Sequence, residues 1–241
     1  MKTIRLDKFL SDNSKYTRSE IKRLVRKDKV KVNGLTVKNS DYRIQPGVDK
    51  VAINLEEIIY KKYIYLLMNK PKGVLSASND KTRKTVVDLL PEEYRHYELF
   101  PVGRLDKDTT GLLLLTNDGD FAHKIISPKS NIEKSYVALV DAAPPKDIAE
   151  KFSKGIVLSD GSECKSAVSE VLDDFKVRII LTEGKYHQIK RMLGIVGLGV
   201  NELHRESIGK LSLPAGLKAG EFCELDINKI YEFFPQIKKT R

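Results

Sequence analysis

Short apolar runs separated by polar turns recur along this chain, and they predict more strands than helices. The run Leu112–Leu115 is typical of a buried strand and ends at a predicted turn, Asn117-Asp118-Gly119. Strand patterns lie near residues 63–68, 100–102, 112–116, 134–140, 166–172, 177–182, 200–206 and 222–225, and helical patterns lie near 85–90, 146–154, 188–196 and 226–234. Because strands outnumber helices and do not alternate strictly with them, the pattern favours an α+β fold with a mixed, largely antiparallel sheet.

The segment that begins at Thr17 follows a helical pattern. Thr17 and Glu20 match a capping box, in which the side chain of each residue accepts a hydrogen bond from the backbone of the other. Ile21, Leu24 and Val25 come next at helical spacing. This spacing predicts one buried face on a helix that begins just after Thr17.

A hairpin is predicted after this helix. Residues 29–32 alternate between polar and apolar side chains, as a half-buried strand does. Asn33-Gly34 is a strong signal for a two-residue turn, and residues 35–37 are predicted to form the second strand of the hairpin. A third short strand is predicted at 50–53, with 54–62 as a connection. We therefore predict a small helix-plus-hairpin domain over residues 1–60 and a sheet domain over residues 61–241.

The charge distribution indicates what the small domain binds. The formal net charge of the chain is +10, and residues 1–40 contain twelve lysines and arginines against four acidic residues. Such asymmetry favours nucleic acid over an anionic membrane, because the apolar helix face is narrow and lacks large aromatic residues. Because the domain has few aromatic residues on which unpaired bases could stack, it is expected to bind the backbone and shape of structured RNA. The candidate RNA-binding residues are Arg5, Lys8, Arg18, Lys22, Arg23, Arg26 and Lys29.

The loop before the 112–116 strand carries the candidate chemistry. Arg104, Asp106 and Asp108 lie between Gly103 and Gly111, and glycine lets the backbone bend sharply. A carboxylate held there, beside a core strand, is both partly buried and reachable. From the residues alone, an ordinary loop with solvated charges stays an open alternative to a reactive site. A glycosidase-like carboxylate pair is disfavoured because the chain has no tryptophan for a sugar platform, and an Asp-x-Asp metal site leaves the basic domain without a role.

Five blocks of sequence, in order, resemble the pseudouridine synthases that act on ribosomal RNA. They are residues 68–73, 103–111 with the tetrad Gly-Arg-Leu-Asp, 133–136, 183–192 and 203–209. The opening residues 4–10 resemble the start of the α-L RNA-binding domain, a type first known from a small-subunit ribosomal protein. The segment His187-Gln188-Ile189-Lys190 is similar to the branch that modifies uridine 516 of 16S rRNA. The large-subunit branches tend to carry Asn-Arg and an arginine where this chain has His187 and Lys190.

The resemblance implies a reaction and a catalytic group. The bond from ribose C1′ to uracil N1 breaks, the base turns, and a bond to C5 replaces it, so no cofactor is expected. Asp106 corresponds to the catalytic aspartate, acting as nucleophile or as base on a uridine flipped into a pocket. A desolvated carboxylate needs a nearby cation to stay ionised, and Lys190 is expected to supply it, with Arg191 as the runner-up.

Three further roles follow from the same resemblance. Tyr136 is expected to stack on the target base, Arg104 to bind phosphate, and Leu203 to form the floor of the pocket.

The two cysteines and four histidines stand in no metal-binding spacing, so no metal is expected.

The expected partner is 16S rRNA, either naked or in a small-subunit precursor particle. No apolar run approaches the roughly 18 residues that span a bilayer, and the N-terminus has no signal-peptide core. We therefore expect a cytoplasmic monomer that has no membrane partner. Two alternatives stay open: a synthase acting on a large-subunit uridine, and a non-catalytic rRNA-binding assembly factor.

Overall fold

The computed structural model describes residues 3–237, and these form two compact units. One unit contains the described part of Met1–Ile64 together with Leu90–Leu99, and the other contains Tyr65–Leu89 with the described part of the chain from Phe100. The domain division at residue 60 stays a prediction. The compact units differ from it because the segment Leu90–Leu99 packs with the first unit.

The first unit is a small α+β module. Its elements are β1 (Ile4–Arg5), α1 (Leu6–Asn13), α2 (Arg18–Arg26), β2 (Val30–Val32), β3 (Leu35–Thr36), β4 (Arg43–Ile44), β5 (Val51–Ile53) and β6 (Glu56–Glu57). Four strands form a sheet with the order β3-β2-β5-β6, β1 pairs with β4, and a 3₁₀ turn at Glu92–Tyr97 belongs to the same unit.

Local sequence explains most of this module. The predicted capping box is confirmed: the backbone N–H of Thr17 donates to Glu20 at 2.8 Å, and the N–H of Glu20 donates back to the Thr17 hydroxyl at 3.3 Å. Ile21 and Val25 are buried, as their spacing predicts. The predicted turn between β2 and β3 is also confirmed, with left-handed φ angles of 50° at Asn33 and 82° at Gly34.

Two parts of this module differ from the sequence prediction. The chain forms α1 without a side-chain N-cap, so no capping signal marks its start. The predicted connection at 54–62 contains β6, which pairs with β5 through a turn at Asn54 and Leu55. Both turn residues have positive φ angles, 50° and 74°. A leucine in that conformation gives no turn signal in the sequence, so the pattern does not predict β6.

The second unit is built on one large sheet. Its strands are β7 (Tyr65–Lys70), β8 (Phe100–Pro101), β9 (Thr110–Thr116), β10 (Lys134–Val140), β11 (Val168–Asp173), β12 (Lys176–Leu181), β13 (Val200–Ile208), β14 (Leu211–Ser212) and β15 (Phe222–Glu224). The order of the strands across the sheet is β11-β12-β10-β13-β9-β7-β15, and β14 pairs with β13 and β8 with β9.

The predicted mixed, largely antiparallel α+β sheet is confirmed. The pair β13 and β9 is parallel, while the neighbouring pairs along the path are antiparallel. The helices of this unit are α3 (Gly119–Ile126), α4 (Ile148–Ser153), α5 (Gln188–Ile195) and α6 (Ile227–Phe233), with 3₁₀ turns at Val87–Leu89, Pro128–Ser130 and Pro235–Ile237.

Strand β9 is buried on both faces at the middle of this sheet. Leu112 and Leu114 belong to a cluster with residues of α3 and α6, and the alternate residues Leu113 and Leu115 are equally buried. Successive strand side chains point to opposite faces, so both sides of the sheet are covered here. The loop that precedes β9 therefore stands on one of the most deeply buried strands in the unit.

Two local predictions in this unit are wrong. The turn predicted at Asn117-Asp118-Gly119 is instead the start of α3, where Asp118 caps the helix and accepts a hydrogen bond from the Phe121 N–H at 3.1 Å. The predicted helix at 85–90 is only the short 3₁₀ turn Val87–Leu89. There the Asp88 carboxylate binds both the N–H and the hydroxyl of Thr85, and Pro91 follows shortly after, so the turn does not extend.

Candidate active site

The loop 103–111 begins and ends at glycines with left-handed backbone. The φ angles are 80° at Gly103 and 101° at Gly111. Gly111 lies at the parallel contact between β9 and β13, where it pairs with Arg205. A Cβ atom at Gly111 would lie 2.3 Å from the Arg205 carbonyl oxygen. The close approach of the two strands therefore requires glycine at this position.

Buried donors hold the backbone of this loop. Ser76 Oγ donates to the Leu105 carbonyl at 2.8 Å and accepts from the Leu105 N–H at 3.1 Å. Lys70 is fully buried, and its ammonium group donates to the carbonyls of Thr109 at 2.9 Å, Pro71 at 3.1 Å and Lys107 at 3.3 Å. Burial lowers the pKa of Lys70 to about 8, although the two loop aspartates oppose this shift.

The loop carboxylates form a small ionic cluster with α5. The Lys190 ammonium lies 2.6 Å from Asp108 and 4.0 Å from Asp106, and the nearest ring nitrogen of His187 lies 3.6 Å from Asp106. The hydrogen bond from Lys190 lowers the pKa of Asp108. The sequence predicts Lys190 as the counter-charge of Asp106 alone. In the structure its shorter contact is with Asp108, so the two carboxylates share one cation.

The segment before α5 is fixed by buried polar groups. The Gln188 amide donates to the Glu183 carboxylate at 2.7 Å, and the Lys185 N–H donates to the Gln188 side-chain oxygen at 2.8 Å. His187, at the start of the helix, adopts a left-handed φ of 48°. These contacts set the direction of α5 and so place Lys190 over the loop.

Tyr136 lies on β10 and is only 8% exposed, opposite Arg205 on β13. Arg205 is buried, donates from Nε to the Leu112 carbonyl at 2.8 Å and donates from Nη1 to the Tyr136 hydroxyl oxygen at 3.3 Å. Its guanidinium carbon lies 5.8 Å from the centre of the Tyr136 ring. The sequence blocks contain Arg205, but its contact with Tyr136 depends on the register of two distant strands.

One pocket brings together most of the predicted residues. Arg104, Asp106, Tyr136, Lys190 and Leu203 all line a cavity of about 100 Å³. This volume is far below the roughly 300 Å³ at which pockets for drug-sized ligands begin. The pocket is thus suited to a single small ring placed against an aromatic face, a carboxylate and a cation.

Arg191, the predicted runner-up to Lys190, points elsewhere. Its guanidinium group binds Asp160 at 2.6 Å, and it does not line this cavity. It follows Lys190 directly on the same helix, but adjacent helix residues point about 100° apart, so the two cations serve different carboxylates.

The predicted RNA-binding residues are on the first unit. Arg18, Lys22, Arg23 and Arg26 lie on α2, with Lys29 after it, and none of these five forms a salt bridge within residues 3–237. Two other candidates are paired: Arg5 binds Asp7 at 2.8 Å, and Lys8 binds Asp12 at 3.1 Å.

The described residues lack two kinds of feature. No helix there is both long and apolar enough to cross a bilayer. Within the same 3–237 range, no three histidine, cysteine, aspartate or glutamate side chains lie together as a metal site would need.

Comparison with known proteins identifies the family. Residues 64–194 match the RNA pseudouridylate synthase family, and residues 4–49 match the S4 domain. The chain belongs to the RNA pseudouridylate synthase family. It is therefore an RNA pseudouridine synthase, an isomerase, with an S4 domain ahead of its synthase region.

Relatives match this synthase over nearly its whole length. An uncharacterised RNA pseudouridine synthase of Bacillus subtilis is 38% identical over 95% of this chain and 97% of its own. The ribosomal small subunit pseudouridine synthase A of Escherichia coli is 38% identical over 94% of this chain and 98% of its own. A solved pseudouridylate synthase structure covers 95% of this chain and 99% of its own, with 34% identity and a TM-score of 0.68.

Proposed function

We propose that this synthase isomerises one uridine of small-subunit ribosomal RNA, equivalent to uridine 516 of 16S rRNA, as a cytoplasmic monomer. The observation that carries the proposal is the Asp106 carboxylate, 30% exposed, in a small pocket with Tyr136 and Lys190. The target is supported by the segment from His187 to Lys190 and by the relatedness to a small-subunit enzyme.

Asp106 supplies the group that acts at the sugar. As a nucleophile it attacks C1′ while the bond to N1 breaks, and the carboxylate leaves C1′ again when C5 of the turned uracil bonds there. As a base it removes the C2′ proton while uracil leaves C1′, and that proton returns to C2′ when C5 of the turned uracil bonds to C1′. In either case the C5 proton of the uracil is then lost, and N1 gains one. Atoms and electrons therefore balance without a donor or an oxidant. Lys190 keeps the cluster of two carboxylates from carrying two uncompensated charges.

Tyr136 and Leu203 form the walls for the flipped base. The Tyr136 ring offers a face for stacking, and Arg205 fixes its hydroxyl as a hydrogen-bond acceptor. This leaves the phenolic proton of Tyr136 free to point toward the base. Leu203 is 6% exposed and closes the pocket on an apolar surface. Arg104 binds phosphate in this proposal, which is supported by its exposure at the pocket and by its lack of a salt bridge within the described residues.

The direct test is Asp106→Asn. Asparagine keeps the shape of the side chain but neither attacks C1′ nor removes a proton, so pseudouridine formation is expected to fall to background. RNA affinity is expected to remain, because it arises mainly from cation contacts with phosphate. Pseudouridine would be mapped in purified small-subunit rRNA and in precursor particles. Asp174→Asn, in the exposed turn between β11 and β12, serves as the matched control.

Each result has a definite reading. Appreciable turnover by Asp106→Asn, with the control active, would contradict the assignment of this loop as the catalytic centre. Modification of a large-subunit uridine, and of none in 16S rRNA, would retain the mechanism and refute the target.

The basic face of α2 gives a second test of the proposal. Replacing Arg18, Lys22 and Arg26 together by glutamine is expected to weaken RNA binding and to flatten the plot of log affinity against log salt. The slope should fall by about 0.7 to 0.9 for each phosphate group that the variant no longer binds. An unchanged slope would show that the S4 domain does not bind these phosphates. The control variant also replaces three cations by glutamine, but in the second unit, at Lys151, Lys154 and Lys176.

A further inference from the structure

Tyr186 is an aromatic residue with no role in the chemistry derived above. It is 76% exposed, although it lies in the segment that leads to α5. One face of its ring stacks on His187, with ring centres 3.8 Å apart and 22° between the planes. An exposed tyrosine with one face supported is a rigid platform for a second flat ring.

The stack leads from a wide groove to the catalytic carboxylate. Tyr186 lines a groove of about 1110 Å³, and His187 lines both this groove and the small pocket that holds Asp106. His187 has a left-handed backbone, and its ring lies 3.6 Å from Asp106. A ring that stacks on the free face of Tyr186 therefore lies just outside the pocket, separated from Asp106 by the rings of Tyr186 and His187.

The charges in this groove suit a nucleic-acid strand. Arg104 and Lys107 are exposed there and form no salt bridge within the described residues. The acidic residues Asp80 and Asp108 are compensated, by Arg83 at 3.2 Å and by Lys190 at 2.6 Å. Cations left available along a groove with an exposed aromatic ring are the combination by which proteins hold single-stranded nucleic acid.

We propose that Tyr186 stacks on the base of the nucleotide immediately next to the uridine that enters the pocket. The proposal rests on the function proposed above, since flipping one uridine leaves its neighbour unpaired or partly unstacked. Tyr186 compensates that loss of stacking. It thereby stabilises the flipped state of RNA and favours sites whose neighbouring nucleotide can leave its own stack.

The experiment combines protein and RNA changes in one cycle. The rRNA segment that the wild-type protein modifies would be made with normal neighbours, with an abasic nucleotide 5′ of the uridine, and with one 3′ of it. Single-turnover rates at sub-saturating protein would be measured for wild type, Tyr186→Ala, Tyr186→Phe and Phe175→Ala. Phe175 is the matched control because it is 51% exposed in the same unit and does not line the groove.

With normal RNA, Tyr186→Ala is expected to lower the rate by about 5- to 30-fold, in the lower part of the range for base–aromatic stacking. Tyr186→Phe and Phe175→Ala are expected to stay within about twofold of wild type, since the stacking face is intact in both. With one of the two abasic RNAs, wild type and Tyr186→Ala are expected to become nearly equal. That coupling distinguishes stacking from an indirect effect on His187, which would persist with every RNA.

Other outcomes overturn the proposal. If Tyr186→Ala slows the reaction by the same factor with both abasic RNAs as with normal RNA, or not at all with normal RNA, Tyr186 is not a platform for the neighbouring base. If the wild-type protein forms no pseudouridine in any rRNA, the proposed function fails first, and the inference falls with it.

Discussion

Because Asp106 and Asp108 share Lys190, Lys190→Met and Asp108→Asn are expected to shift the pH–rate profile in opposite directions. Lys190 lies 2.6 Å from Asp108 and 4.0 Å from Asp106. If the ionised Asp106 carboxylate sets the rate, Lys190→Met removes its nearest lysine ammonium and the ascending limb of the pH–rate profile moves to higher pH. Asp108→Asn frees Lys190 for Asp106 and also removes a negative neighbour, so that limb moves to lower pH.

The magnitude follows from the distances. Two unit charges 4.0 Å apart interact by about 4 kcal/mol at the effective dielectric constant of a protein surface. The side chains of Lys190 and Asp106 are 25% and 30% exposed, and Asp108 already neutralises much of the lysine charge. We therefore take roughly 1 kcal/mol as the net effect. At about 1.4 kcal/mol per pH unit, each limb is expected to move by roughly half a unit to one unit.

The assay is the single-turnover rate of pseudouridine formation with protein in excess over RNA, over roughly pH 3.5 to 8, a range that includes the ordinary aspartate pKa of about 3.9. Lys190→Arg is the control, because it keeps the charge and is expected to leave the limb near its wild-type position. Shifts of the two test variants in the same direction, or no shift in either, would refute the view that this cluster sets the charge of Asp106.

Two further outcomes concern the scaffold of the site. Gly111→Ala is expected to destabilise the protein by at least about 2 kcal/mol in urea unfolding, because φ is 101° and the added Cβ would lie 2.3 Å from a carbonyl oxygen. The control Gly119→Ala is expected to change stability by less than about 1 kcal/mol, because no atom lies within 4 Å of the added Cβ. Equal effects of the two substitutions would contradict this explanation. Burial lowers the pKa of Lys70 from 10.5 to about 8, so the native state releases this proton before the unfolded chain does, and this group makes stability rise with pH between those values. Lys70→Met is expected to reduce that rise by up to about 1.4 kcal/mol per pH unit in unfolding experiments at paired pH values, and an unchanged slope would show that Lys70 is not the source.

Local signals in the sequence were sufficient for much of the fold. The capping box at Thr17 and Glu20 involves residues three apart, and the Asn33-Gly34 turn involves adjacent ones, so both are visible without the rest of the chain. The prediction failed where one local signal serves two structures. Asp118-Gly119 is compatible with a turn and with a helix cap, and only the packing of Phe121 against the sheet decides for α3.

In the candidate site, too, local features could be predicted from the sequence and contacts between distant residues could not. Gly103, Asp106 and Gly111 stand out within one short loop because their types and spacing are informative. The contact of Arg205 with Tyr136 and that of Lys190 with Asp108 join residues 69 and 82 positions apart. Such contacts follow from strand register and helix direction, which are set by the whole core. They could not be predicted from the spacing of residues along the chain.

The loop 103–111 holds the proposed catalytic carboxylate of Asp106 rigidly and yet leaves it accessible. Main-chain oxygens of Leu105, Lys107 and Thr109 accept hydrogen bonds from Ser76, Lys70 and, at Lys107, also from the Gly73 N–H at 2.7 Å. Because the backbone is fixed from beneath, the side chain of Asp106 does not have to fold back to anchor the loop. Burying the Lys70 ammonium opposes folding, as its lowered pKa indicates, and its carbonyl contacts offset part of that penalty. A fold selected for stability alone would place an apolar side chain there, so the buried lysine is best explained by the precision that it gives the loop.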